Sequence, residues 1–193
     1  YVSVDKFGLI DISELKNHLS ENTSIVSIMF GNNEIGTIQP VSEIVKLCHD
    51  NNALFHTDAV QAVGKIPIDV KELGIDLLSI SSHKLYGPKG IGALYIKNGV
   101  DIDPVILGGG QESGLRSGTE NVANIVGFGK ACEIAKNNLS QNLIHMEKLQ
   151  NSLIKKIHDT IPKVTLNGHP QLRLPNNVHF TFLGVNGEDL IIK

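Results

Sequence analysis

Short apolar runs that stop abruptly at polar residues, set between stripes of helical spacing, are what most limits the folds open to this chain. Ala53-Leu54-Phe55-His56-Thr57-Asp58 is one such run and Asp76-Leu77-Leu78-Ser79-Ile80-Ser81 is another. Runs of this length bounded by polar and turn-forming residues read as strands. Residues 24–30 make a further strand, while Ile12, Leu15 and Leu19 after Asp11, and Val41, Ile44, Val45 and Cys48 after Pro40, recur at helical intervals. Strand and helix in alternation predict an α/β fold: a mostly parallel sheet with covering helices. Residues 91–96 follow the turn at Gly87-Pro88 so closely that this strand is expected to return antiparallel, because a parallel return needs a long crossover.

The second half continues in longer stripes. Residues 122–136 read as one helix, and Leu143, Met146, Leu149, Leu153 and Ile157 set out a second. Asn137-Asn138-Leu139-Ser140 between them is the expected seam, dividing a larger domain over 1–139 from part of a small α+β domain over 140–193. Within the latter, Asn167-Gly168-His169-Pro170 makes a turn and residues 177–182 alternate as a half-exposed strand. The sequence opens on Tyr1 and closes in what reads as the first turn of a helix, so a fragment is expected.

Hydrophobic residues make up 41% of the chain and charged residues 19%, the balance of a packed domain, and a net charge of −3 supplies no pull toward nucleic acid or an anionic membrane. No apolar run nears the roughly 20 residues that cross a bilayer. Cys48 and Cys132 lack the paired spacing of a zinc site or redox dithiol, sit on helical stripes as small core residues, and suit a reducing, cytoplasmic setting. His18, His49, His145 and His158 lie on helix faces among lysines or amides and read as solvated or capping, and His56 as a packing residue. No metal site is expected.

Chemistry concentrates just past the strand ends. Lys84 stands in Ser81-Ser82-His83-Lys84-Leu85-Tyr86-Gly87-Pro88-Lys89-Gly90, directly after a buried strand, where open α/β sheets place their ligands. An amine in a partly dry pocket there can attack an aldehyde and form a Schiff base; a loop lysine hydrating a turn is the alternative. Asp58 ends the other strand, with Gln61 about one turn on if a helix begins there. A carboxylate in that place can hold a protonated pyridine ring, the electron sink of pyridoxal chemistry, while Gln61 can donate to the ring's phenolic oxygen. Asp58 also reads as an ordinary helix N-cap.

Four stretches together carry a resemblance: GNNEIGTIQPV from Gly31, HTDAVQAVGKIPIDV from His56, SSHKLYGPKGIGALYI from Ser81 and GGGQESGLRSGTEN from Gly108. In this order they resemble the cysteine desulfurases of the NifS/IscS type, in the class V branch of the fold-type I pyridoxal-phosphate enzymes. The resemblance implies that Lys84 forms the Schiff base with pyridoxal 5′-phosphate, that Asp58 partners the pyridine nitrogen, and that Asn33 and Gln61 contact the oxygen side of the ring. It assigns Ser81 and His83 to the phosphate, with His83 beside Lys84 in the catalytic group. Thr119 reaches the phosphate of a neighbouring subunit in that family, which implies a homodimer. The implied reaction takes sulfur from L-cysteine, leaving L-alanine and an enzyme-bound persulfide for an iron–sulfur scaffold or another sulfur-acceptor protein.

One departure matters. The family's sulfur-accepting cysteine stands in a small-residue loop of the C-terminal part, and neither Cys48 nor Cys132 has that setting. The nucleophile is therefore expected outside this chain. Two other readings stay open: a selenocysteine lyase or other class V lyase or transaminase using the same parts, and a catalytically incomplete piece that serves as an interaction module.

Overall fold

The computed structural model describes residues 1–192. Its main sheet holds four strands in the order β1 (Ile25–Ser27), β2 (Leu54–Asp58), β3 (Leu77–Ser81), β4 (Gly92–Ile96). The first three run parallel and β4 returns antiparallel along β3, as the tight turn requires. The ladder continues past β1: Ile28 N–H donates to the His56 carbonyl at 3.1 Å and Phe30 N–H to the Asp58 carbonyl at 2.8 Å.

Parallel neighbours need a crossover, and α2 (Val41–Asp50) supplies the one between β1 and β2. Pro40 precedes it with no N–H to leave unbonded. The α2 stripe Val41, Ile44, Val45 and Cys48 is buried, and β2 meets it with Phe55 and Thr57 while His56 and Asp58 alternate to the opposite face. Ile44, Phe55 and Ile75 are fully buried, each worth roughly 1.5–3 kcal/mol in apolar surface withdrawn from water. The shorter α1 (Ile12–His18) starts at Asp11, whose carboxylate accepts from Ser13 and Glu14 N–H, and it adds Leu15 to the same core.

The expected seam is not a loop. One helix, α3 (Val122–Thr160), runs 39 residues straight through it in place of two. Its inward positions are Phe128, Ala131, Ala135, Leu139, Leu143 and Met146, so Leu139, read as part of a linker, joins the two stripes into one. Asn137, Asn138 and Ser140 point outward, where each costs at most about 0.7 kcal/mol in a helix, too little to end it. Further along, Gln150, Ile154 and Ile157 face inward, and Leu149 and Leu153, expected on the buried stripe, are exposed. Beyond α3, β5 (Val164–Leu166) and β6 (Phe180–Phe182) form an antiparallel pair, and α4 (Gly187–Ile192) follows. Among the described residues no helix is long and apolar enough to cross a membrane.

Candidate active site

Three adjacent strand ends build the site. Asp58 lies in register with Ser79, the Ala59 N–H donates to the Ser79 carbonyl at 3.0 Å, and the Phe30 N–H donates to the Asp58 carbonyl. The chain therefore leaves β1, β2 and β3 side by side at one edge of the sheet. Asn33 follows the first exit, Asp58 and Gln61 the second, and Ser81, His83 and Lys84 the third. This is the carboxyl edge of neighbouring parallel strands, where an open α/β sheet leaves room for a ligand.

The Lys84 turn is pinned from below. After Ser81 the chain makes a 3-10 turn, Ser82–Leu85, that buries Ser82 and Leu85 and turns His83 and Lys84 outward. Leu85 packs with Phe128 and Ala131 of α3. Tyr86 then adopts a left-handed backbone with φ +63°, and Gly87 passes so close to Ser82 that a Cβ would collide with its hydroxyl and crowd Ala131. The Ser81 hydroxyl and His83 Nδ1 lie 2.8 Å apart, which couples two of the expected phosphate contacts.

Several expectations need correction. No helix begins after Asp58: residues 59–66 form successive turns, interrupted where Gly64 takes φ +75°. Gln61 lies in those turns, and the Asp58 Oδ1 accepts from the Val60 N–H at 2.9 Å, the local bond of a cap without its helix. Lys84 is exposed, so the described residues do not enclose it in a dry pocket. It borders a cavity of about 380 Å³ against α3, shared with Lys65, Tyr86, Asn142, His145 and Met146; Asp58 does not border it. Thr119 stands at the end of a glycine-rich loop. Its loop is closed on itself, with Ser117 Oγ donating to the Gly109 carbonyl at 2.6 Å and the Gly118 N–H to Gln111 Oε1 at 3.0 Å.

Other groups near this edge carried little sequence signal. Lys65 Nζ donates to the Gln61 carbonyl at 2.9 Å and reaches Gln61 Oε1 at 3.4 Å; burial, aided by the charge of Lys84, lowers its pKa. The four-residue spacing from Gln61 was the only hint. His56 is more than packing: its ring spans three strands, Nδ1 at 2.7 Å from the Ser27 hydroxyl and Nε2 at 2.9 Å from that of Ser79. Burial lowers its pKa against the opposing pull of Asp58. At the far edge, His49 is not merely solvated or capping. It donates to Asp76 at 2.7 Å, and Asp76 also accepts from Lys97 Nζ and the Phe55 N–H, each at 2.9 Å. Among the described residues no cluster of three or more His, Cys, Asp or Glu side chains could hold a metal ion.

Comparison with known proteins decides the family. The sequence model described as Aminotransferase class-V matches residues 1–192. The chain belongs to that family. Over its whole length it is 53% identical to a protein named cysteine desulfurase IscS from Clostridium botulinum, of which it covers 49%. The solved structure of a NifS-like protein from Rickettsia africae superposes with a TM-score of 0.94 at 40% identity, over 99% of this chain and 54% of that one. A structure of SspA in complex with cysteine is 44% identical, with a TM-score of 0.66 over 69% of this chain and 39% of that one. The chain spans about half the length of the curated relatives it matches. These neighbours are fold-type I class V proteins, and the mostly parallel sheet with packed helices agrees with them.

Proposed function

We propose that this chain contributes the lysine-bearing part of a cysteine desulfurase that works with pyridoxal 5′-phosphate. One observation carries the proposal: an amide, a carboxylate and an amine stand at the carboxyl exits of three adjacent parallel strands, at Asn33, Asp58 and Lys84. That donor set fits the cofactor. A carboxylate suits a protonated ring nitrogen, amides suit a phenolic oxygen, and the Ser81 hydroxyl with the His83 imidazole suits a phosphate. When bound, the cofactor supplies an aldehyde for covalent capture of an amino acid and a ring that withdraws electrons from its α-carbon.

On this reading Lys84 Nζ would be the amine that holds the cofactor's aldehyde group, and the same amine would move a proton to or from the substrate α-carbon. Asp58 would hold the ring nitrogen, and Asn33 and Gln61 would orient the ring. His83, held by Ser81, stands beside Lys84. Thr119 serves the phosphate of a second copy in a homodimer. Neither cysteine is suited to attack sulfur: burial, with the charge of Asp76 adding to it, pushes the Cys48 thiol up to about 11, and burial raises that of Cys132 too. The nucleophile belongs outside these residues. L-cysteine as substrate is supported by the names of the relatives and by the cysteine complex of SspA. An iron–sulfur scaffold or other sulfur acceptor as partner, a cytoplasmic setting and a division into a large and a small domain, the boundary running inside α3, complete the proposal.

The test is covalent. Addition of pyridoxal 5′-phosphate and reduction with borohydride should place a stable adduct on the peptide containing Lys84, and Lys84→Ala should abolish both the adduct and alanine release from L-cysteine by the whole protein. An adduct on another lysine, or alanine release by Lys84→Ala at the native rate, refutes the assignment.

A further inference from the structure

The loop that carries Asn33 is held from two sides: by its own turn, where Asn32 Oδ1 accepts from the Glu34 and Ile35 N–H groups at 2.9 Å, and by a segment from far along the chain. Residues 167–177 close around it: the Ile38 N–H donates to the Leu172 carbonyl and the Leu174 N–H to the Gly36 carbonyl, each at 2.8 Å, and Asn177 Nδ2 donates to the Glu34 carbonyl at 2.6 Å. The approach is backbone against backbone. A Cβ on Gly36, where φ is +76°, would strike Asn177, and one on Gly168 would strike the Ile35 carbonyl.

Arg173 lies at the centre of this contact. It is only 6% exposed, and its Nη1 donates to the Ile35 carbonyl at 2.8 Å and to Asn177 Oδ1 at 2.7 Å, while Nη2 donates to the Asn167 carbonyl. The arginine thus bonds both the loop it faces and the segment that bears it. Burial lowers its pKa, and its Nε is buried without a partner, so the position is unfavourable for a charge in itself. A planar fork that reaches several diverging oxygens at once is what arginine offers and lysine does not.

We propose that Arg173 is a positioning residue for Asn33: by tying the Ile35 carbonyl and Asn177 together it sets the backbone of residues 34–37, and through it the place where the Asn33 side chain meets a ligand. The inference rests on the cofactor reading of Asn33 given above. The bonds of the Arg173 fork all run to this chain's own oxygens, so its effect should pass through Asn33 and vanish when Asn33 is truncated.

A double-mutant cycle in the whole protein separates this from simple support of the fold. The affinity for pyridoxal 5′-phosphate is measured for the native protein, Arg173→Met, Asn33→Ala and the pair. Each single substitution should weaken binding by up to about tenfold, the value of one hydrogen bond, and the pair should bind no worse than Asn33→Ala alone. Should Arg173→Met fail to fold, Arg173→Lys, which keeps stem and charge but not the fork, takes its place. Hydrogen exchange without cofactor gives the independent readout: the Ile38 and Leu174 amides should exchange at least about tenfold faster in the arginine variant, with the β2 and β3 amides unchanged. Equal weakening in both asparagine backgrounds, or unchanged exchange at Ile38 and Leu174, overturns the proposal. A native protein that forms no adduct at Lys84 refutes the cofactor reading instead, and exchange at these two amides still decides whether Arg173 holds the loop.

Discussion

Replacing Asp76 by asparagine should destabilise the protein in a way that depends on pH. Asp76 stands just before β3, at the sheet edge opposite Lys84, and its side chain is 3% exposed. Its Oδ2 accepts from His49 Nε2 and the Phe55 N–H, and its Oδ1 from Lys97 Nζ. Asparagine keeps one acceptor oxygen and turns an NH₂ group toward the rest, so either Lys97 or the His49 and Phe55 donors together lose their bonds and face another donor. A hydrogen bond to a charged group contributes about 1.5–3 kcal/mol. The His49 and Lys97 side chains are 38% and 43% exposed, and water screens them, which places the loss near the lower end, about 2 kcal/mol. Burial by itself would raise the Asp76 pKa; the bonds from His49, Phe55 and Lys97 outweigh it and hold the carboxyl below its ordinary value. A folded pKa below the unfolded one means stability that is present above the unfolded value, about 3.9, and lost as pH falls through the folded one. Urea unfolding of native and Asp76→Asn protein from pH 7 downward should give a gap of about 2 kcal/mol that holds to about pH 4 and narrows below it. A gap under about 0.5 kcal/mol at pH 7, or one that stays constant through pH 3, would refute the reasoning. Adduct formation at Lys84 should be unaffected, because Asp76 lies at the other end of the strand.

Thiol labelling at pH 8 should leave Cys48 unmodified in the folded protein and label Cys132 slowly, since the first is fully buried and both thiols are shifted upward; fast labelling of both would show that this packing is wrong. Asn137→Ala with Asn138→Ala should stabilise the protein by about 1 kcal/mol in urea unfolding, because both residues are exposed in the middle of α3; no gain would mean that this stretch is a linker after all. Ile44→Ala should cost about 2–5 kcal/mol, because Ile44 is fully buried between α2 and the sheet; a loss under about 1 kcal/mol would place it outside the core.

The sequence by itself determined where β2 and β3 end and what stands there. That boundary is local, an apolar run meeting polar residues, and it made the α/β class, the antiparallel return of β4 and the order of Asn33, Asp58, Gln61, Ser81, His83 and Lys84 legible before any coordinates. Local pattern misled where a weak signal was given too much weight. Two asparagines and a serine suggested a break, yet Leu139 among them kept the apolar stripe of α3 in phase. Only the tertiary structure decided which exits lie side by side, because that rests on strand register. It also decided which polar side chains are buried. Asp76 meets His49 across 27 residues and Lys97 across 21, and Arg173 meets Ile35 across 138. A hydrogen bond between residues so far apart leaves no period in the sequence, since nothing in either neighbourhood requires it until the chain has folded.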